Sequence, residues 1–146
     1  MKLFDHIKET GVKIIRINDL FPIFLVKNIM NEYLFSITEY KITYGWGNGY
    51  IGLPWWHPYY KIDFNDIPIV CHGLLTFSQL DEDEDLWIIG FDTSHLGDNK
   101  DYCSKEYVTK QCKYIVKQCS EVKEAQRIIK LNKLNKLSNG RISRSI

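Results

Sequence analysis

A chain of 146 residues that is 45% apolar and 25% charged fits one ordinary globular domain with a moderate core. Its net charge of +1 excludes bulk electrostatic binding of nucleic acid or of an anionic membrane. The longest apolar run, Leu20 to Val26, is too short to span a bilayer and contains Pro22. Nothing reads as a signal peptide, so a reduced host-cell cytoplasm is the expected compartment.

Residues 3–10, "LFDHIKET", suggest a helical turn or two. Val12 to Ile17 partly alternates and predicts a short strand. "FPIFLV", Phe21 to Val26, is apolar but broken by proline, which predicts a loop packed on the core or the first residues of a strand. Glu32 to Gly45 is rich in aromatic and β-branched residues and predicts one or two strands. Asn48-Gly49 then signals a hairpin turn, because a type I′ turn needs positive φ at both central positions.

An aromatic loop follows, from Trp55 to Pro68. Ile69 to Leu80 predicts a strand, "DEDED" an acidic connection and Leu86 to Asp92 a second strand, together an antiparallel hairpin. From Ser104 to Leu137 nothing breaks a helix. Val108, Cys112, Ile115, Cys119 and Val122 recur at helical spacing, and Ser120 marks a bend into a second helix. Residues 138–146 are polar and predict a flexible basic tail. The expectation is an α+β fold in one domain over residues 1–137, a mainly antiparallel sheet with one or two C-terminal helices packed on one face.

Charge is uneven: Asp81 to Asp101 holds eight acids against one lysine, and Glu121 to Ile146 holds seven Lys or Arg against two Glu. A solvated loop and a solvated helix face explain this; the sharper alternative is that the basic tail meets the acidic loop, within the chain or in a homo-oligomer. Cys71, Cys103, Cys112 and Cys119 contain no CxxC pair, which gives only a weak zinc signal and predicts buried, reduced thiols.

Polar residues interrupt the two predicted strands. On a strand over 69–80, His72, Leu74, Thr76 and Ser78 share one face. Asp92, His95 and Asp98 recur every three residues after the second strand, and a turn there folds them together. A histidine oriented by a carboxylate is the smallest acid/base unit at neutral pH, so His72, Asp92 and His95 are the candidate catalytic residues. Thr76 and Asp98 are candidate ligand readers. Trp46, Tyr50, Trp56 and His57, lying among glycines, are the candidate flat wall for a planar ligand. His57 precedes Pro58, which favours extended backbone and a projecting imidazole. The bland alternatives are a turn capped by Asp92, a satisfied structural His95 and an aromatic core. No metal ligand is assigned and no cofactor is specified, although two histidines with two aspartates also suit a divalent ion.

The order "NGYIGLPWWHPYY", "HGLLTF", "LWIIGFDTSHLGD" and "YVTKQCKYIVKQC" resembles a family of small phage and prophage proteins without an assigned activity. The resemblance covers about residues 48 to 119. It matches Asn48, Gly49, Tyr50, His57, Pro58, His72, Gly73, Thr76, Gly90, Phe91, Asp92, His95, Gly97 and Asp98 to that pattern. Leu74 departs from it, standing where the pattern has a second glycine. The resemblance implies a viral or prophage accessory protein and, by association, one that counters host defence signalling. The expected function is binding of a small polar or nucleotide-like ligand. The alternatives are a small hydrolase or phosphodiesterase-like enzyme using the His/Asp cluster, and a protein–protein inhibitor whose "DEDED" loop mimics phosphate charge.

Overall fold

Apolar runs at the centre of the chain build a sheet buried on both faces. The computed structural model describes residue 5 and residues 13–15, 21–28, 32–34 and 41–144. Its strands are β1 (Lys13–Ile15), β2 (Ile23–Lys27), β3 (Glu32–Leu34), β4 (Lys41–Thr43), β5 (Gly47–Pro54), β6 (Phe77–Asp81) and β7 (Leu86–Phe91). Five of them form an antiparallel sheet in the order β1-β2-β5-β7-β6, and β3 pairs with β4 separately. Two helices follow, α1 (Lys105–Glu121) and α2 (Lys123–Arg144), so the fold is α+β. The helical turns expected over 3–10 lie, but for Asp5, outside the described residues.

Side chains alternate between two cores. Ile23 and Leu25 of β2, Ile51 and Leu53 of β5, and Ile89 and Phe91 of β7 join the main core with Val108, Cys112, Ile115 and Cys119 of α1. Their neighbours Phe24, Tyr50 and Ile88 form a second cluster, with Val26, Phe77 and Leu86 against it. A strand covered on both faces reads as a continuous apolar run. That is why "IFLV" is an interior strand, between β1 and β5, with Pro22 just outside it. All four cysteines are buried free thiols.

Asn48-Gly49 is not a turn. Both residues lie within β5, where Asn48 pairs with Val26 and Gly49 with Leu25 and Phe91. Glycine is needed there for space: a Cβ at Gly49 would sit 2.4 Å from Cys112 Sγ and 2.7 Å from the Phe91 ring. The β6–β7 hairpin with its acidic connection forms as predicted, but β6 begins only at Phe77. Ile67, Ile69 and Cys71 are buried in alternation with exposed Pro68 and Val70 and half-buried His72, a strand-like pattern without a strand partner among the described residues. Two glutamines of α1 take the partner's place. Gln118 accepts from Val70 N–H (2.9 Å) and donates to Val70 C=O (2.7 Å), and Gln111 accepts from His72 N–H (2.9 Å).

Ser104 caps α1 by accepting from the Tyr107 N–H at 3.2 Å, and the extended Val122 (ψ 127°) ends it. The break falls two residues after Ser120, whose hydroxyl donates to Val116 C=O. Ala125 is buried and Ile129 packs on the main core. Helix α2 runs to Arg144, and no proline interrupts it. Among the described residues, no helix is long and apolar enough to cross a membrane.

Candidate functional site

The turn after β7 is stitched to the segment before β5. Thr93 is wholly buried; its hydroxyl donates to Gly47 C=O (2.6 Å) and its C=O accepts from Gly45 N–H (2.8 Å). A Cβ at Gly45 would lie 2.4 Å from Thr93 Oγ1, so the two segments meet without a side chain between them. Beyond this anchor the chain turns at Gly97 (φ +89°) and returns through Asp98 and Cys103 into α1. The Asp98 N–H donates to His95 C=O (2.9 Å), which closes the turn.

Asp98 is the hub. Its Oδ2 accepts from His95 N–H and from His95 Nδ1, each at 2.9 Å. Its Oδ1 and Oδ2 lie 2.9 and 3.1 Å from His72 Nε2. Burial pushes the Asp98 carboxyl up, but the hydrogen bonds from His72 and His95 outweigh it and hold the group below the usual carboxylate range. An ionised Asp98 accepts only, so His72 Nε2 and His95 Nδ1 both donate. His72 Nδ1 is 2.8 Å from the Tyr107 hydroxyl, so with His72 neutral that hydroxyl donates to it. Burial and the neighbouring Tyr102 push the Tyr107 hydroxyl up to about 12.

His72 does not stand on a strand, contrary to the strand expected over 69–80. It lies in a turn closed by Leu74 N–H to Cys71 C=O (3.0 Å), with Gly73 at φ +63°. A Cβ on Gly73 would lie 2.3 Å from His95 Cε1, so the missing side chain lets the imidazole lie over this turn. The two imidazoles are 5.5 Å apart, centroid to centroid. Leu74, which replaces the glycine of the resembled pattern, also has positive φ (+65°) and is 61% exposed.

Asp92 holds the outer edge. Its Oδ1 accepts from Ser94 N–H (3.1 Å) and lies 3.6 Å from His95 Nε2, and its Oδ2 accepts from the Thr76 hydroxyl (3.1 Å). Part of its role is thus the turn-capping one. Tyr107, His72, Asp98, His95, Asp92 and Thr76 form one chain of polar contacts, in which Asp98 and His95 stand between His72 and Asp92. His72 and Asp98 are its sheltered part, with side chains 12% and 8% exposed, and His95 and Asp92 its open part, at 37% and 34%.

The expected aromatic wall does not assemble. Trp46 and Trp56 pack on the main core, Trp56 with its ring 6.1 Å from that of Phe21. Tyr50 lies on the opposite sheet face, edge-on to Phe77, and a Cβ at Gly90 would lie 2.3 Å from its ring. Nor does His57 project. It is 2% exposed, its Nδ1 accepts from Tyr59 N–H (3.0 Å) and its Nε2 lies 2.9 Å from Cys119 C=O in the last turn of α1. Tyr50 and His57 are buried and Trp46 and Trp56 half-buried, because β5 and the segments flanking it pack against both cores.

Three residues at the cluster escape prediction. Tyr102 is 63% exposed, its ring 5.0 Å from Tyr107. Tyr107 itself is hidden among helix residues. Cys103 lies at the end of the turn with Sγ 3.8 Å from His72 Nε2, and burial and the nearby Asp98 charge push its thiol up to about 11. The His72, Asp98 and Cys103 donor atoms lie within 4.8 Å of one another. The available sequence signal was Cys103 itself, five residues after Asp98. A cavity of about 730 Å³ at the α1–α2 junction, lined by Lys123, Arg127, Lys130 and Lys133, contains none of the predicted site residues. No protein-family model, curated protein or solved structure matches the chain.

Proposed function

We propose that the chain is an accessory protein that binds a small polar or nucleotide-like ligand at the His95 end of this polar chain. One observation carries the reading: a buried carboxylate, Asp98, fixes two imidazoles and leaves one of them, His95, more than a third exposed. With His95 neutral, its Nδ1 proton is committed to Asp98, so Nε2 carries the lone pair; that nitrogen lies over the Gly73 turn and 3.6 Å from Asp92 Oδ1, at the more exposed end of the cluster. Thr76, Asp92 and Ser94 add polar groups beside it. Exposed Leu74, Leu96 and Tyr102 surround the cluster in sequence and supply apolar surface, with Tyr102 as the ring available for stacking. The phage or prophage setting, and a role in countering host defence signalling, rest on the motif resemblance alone.

Mass spectrometry of small molecules released on denaturing the purified protein tests this directly. A nucleotide-like compound is expected, and replacing His95 with Gln should weaken its rebinding by about 1–3 kcal/mol. Release of no compound, together with no binding of nucleoside mono-, di- or triphosphates or cyclic nucleotides, would end the reading.

The Asp98–His95 pair also favours a second reading, acid/base catalysis. A histidine whose Nδ1 is held by a buried carboxylate keeps the tautomer of a general base, with Nε2 as the accepting nitrogen. In that case His95→Gln leaves binding intact and lowers turnover of the released compound by about 10² or more.

A further inference from the structure

We propose that His72 Nε2, Asp98 and Cys103 Sγ form a zinc-binding site, with a fourth position left for water. The site shares His72 and Asp98 with the ligand-binding reading but does not rest on it, since zinc uptake is measured with no organic ligand present. Carboxylate, imidazole and thiol converge from three separate stretches: the turn at 71–74, the turn after β7 and the residue preceding the α1 cap. An imidazole and a thiolate together select zinc over magnesium or calcium, which take oxygen donors.

The distances suit a tetrahedral ion. Donors bound at ordinary zinc distances stand about 3.3–3.6 Å apart. Cys103 Sγ is 3.8 Å from His72 Nε2, and the Asp98 oxygens are 2.9 and 3.1 Å from the same nitrogen. Shifts of a few tenths of an ångström open the His72–Asp98 hydrogen bond to a coordination edge.

The surroundings orient each donor as zinc sites require. The Tyr107 hydroxyl contacts His72 Nδ1, so it can accept the Nδ1 proton of the tautomer that frees Nε2 for metal. His95 donates twice to Asp98 Oδ2, so Oδ1, which now lies 2.9 Å from His72 Nε2, is the oxygen that would exchange that contact for the ion. His95 is then a positioning residue. Cys103 is wholly buried; its N–H donates to Asn99 C=O (2.8 Å) and its C=O accepts from Trp46 N–H (2.7 Å), so its backbone is fixed before any metal arrives.

Protons balance simply. Cys103 releases one proton to solvent on coordination, and the His72 proton moves from Nε2 to Nδ1. The charges of thiolate and Asp98 together cancel that of the zinc ion. A buried thiolate beside a buried carboxylate is otherwise unfavourable, so metal and thiolate enter together.

Zinc titration into chelator-treated, reduced full-length protein, read by competition with a chromophoric chelator, tests the site. About one zinc per chain is expected. Cobalt loading should give a thiolate-to-cobalt charge-transfer band and the intense visible bands of a tetrahedral ion. Cys103→Ser should abolish the charge-transfer band, and His72→Gln should weaken zinc binding at least tenfold. Cys71→Ser should keep both. Absence of zinc uptake at micromolar metal overturns the proposal, as does uptake unchanged in Cys103→Ser and His72→Gln. If either variant fails to fold, the cobalt spectrum of the unmodified protein decides, and a spectrum without the thiolate band overturns the site.

Discussion

His57 shows how one tautomer ties a loop to a helix. The Tyr59 N–H occupies Nδ1, so the neutral ring carries its proton on Nε2 and donates it to Cys119 C=O. That carbonyl is in the last turn of α1, where backbone acceptors lack helical partners. Burial lowers the His57 pKa, while the bond to Cys119 partly opposes this. Its folded value therefore lies below the unfolded value of about 6.5. As pH falls the unfolded chain takes up the proton first, so this contribution is whole above about pH 6.5 and is lost on acidification towards the folded value. His57→Gln can keep both hydrogen bonds but cannot titrate. Urea midpoints should show a shallower loss of stability below about pH 6.5 in His57→Gln than in the parent. His57→Leu should cost about 1–3 kcal/mol at pH 8, because it orphans the Cys119 carbonyl. Equal acid slopes in parent and His57→Gln would show that another group carries the effect.

Strand β5 is the element on which the rest is assembled. It pairs with β2 on one side and β7 on the other, and α1 crosses its inner face. Gly49 sits under that crossing, so Gly49→Ala should drive a methyl into Cys112 and Phe91 and cost about 1–3 kcal/mol, read as a lower denaturant midpoint at constant slope. A hairpin turn with positive φ at this position would also reject alanine, but Cys112→Ala would not rescue it. Because Cys112 Sγ is the nearest atom, Cys112→Ala should recover part of the Gly49→Ala loss in a double-mutant cycle. The extended segment from Ile67 to His72 is the counterpart case. It has the alternation of a strand, yet its backbone groups bond Gln111 and Gln118 of α1. Those glutamines recur seven residues apart, on one stripe of the helix.

At the scale of the molecule, the sheet and α1 share the main core, and the polar cluster hangs on their common border. Cys103 ends the turn that enters α1, and Tyr107 and Gln111 reach from α1 to His72. The site therefore depends on helix docking. Truncation before Ser104 removes Val108, Cys112, Ile115 and Cys119 from the core, and each large apolar side chain contributes about 1.5–3 kcal/mol on burial. The expected product is insoluble or binds hydrophobic dye, and its His72 and His95 resonances should lose dispersion. A soluble fragment that unfolds cooperatively would show that the sheet closes its core without α1.

The sequence by itself determined the α+β class, the β6–β7 hairpin and the buried stripe of α1. Each of these is a local period: apolar alternation, a short acidic link, or spacing of three and four residues. It also marked His72, His95 and Asp98, because imidazoles and carboxylates stand out within apolar runs. Only the tertiary structure decided that Asp98 joins the two histidines, that Cys103 and Tyr107 stand beside them, and that His57 and Tyr50 are buried while Trp46 and Trp56 pack half-buried on the main core. Asn48-Gly49 illustrates the reason. The same two residues satisfy a tight turn through positive φ or a crowded strand crossing through the absence of a Cβ. Local chemistry permits both, and the choice lies with Cys112 and Phe91, which are more than forty residues away in the chain and in contact range in the fold.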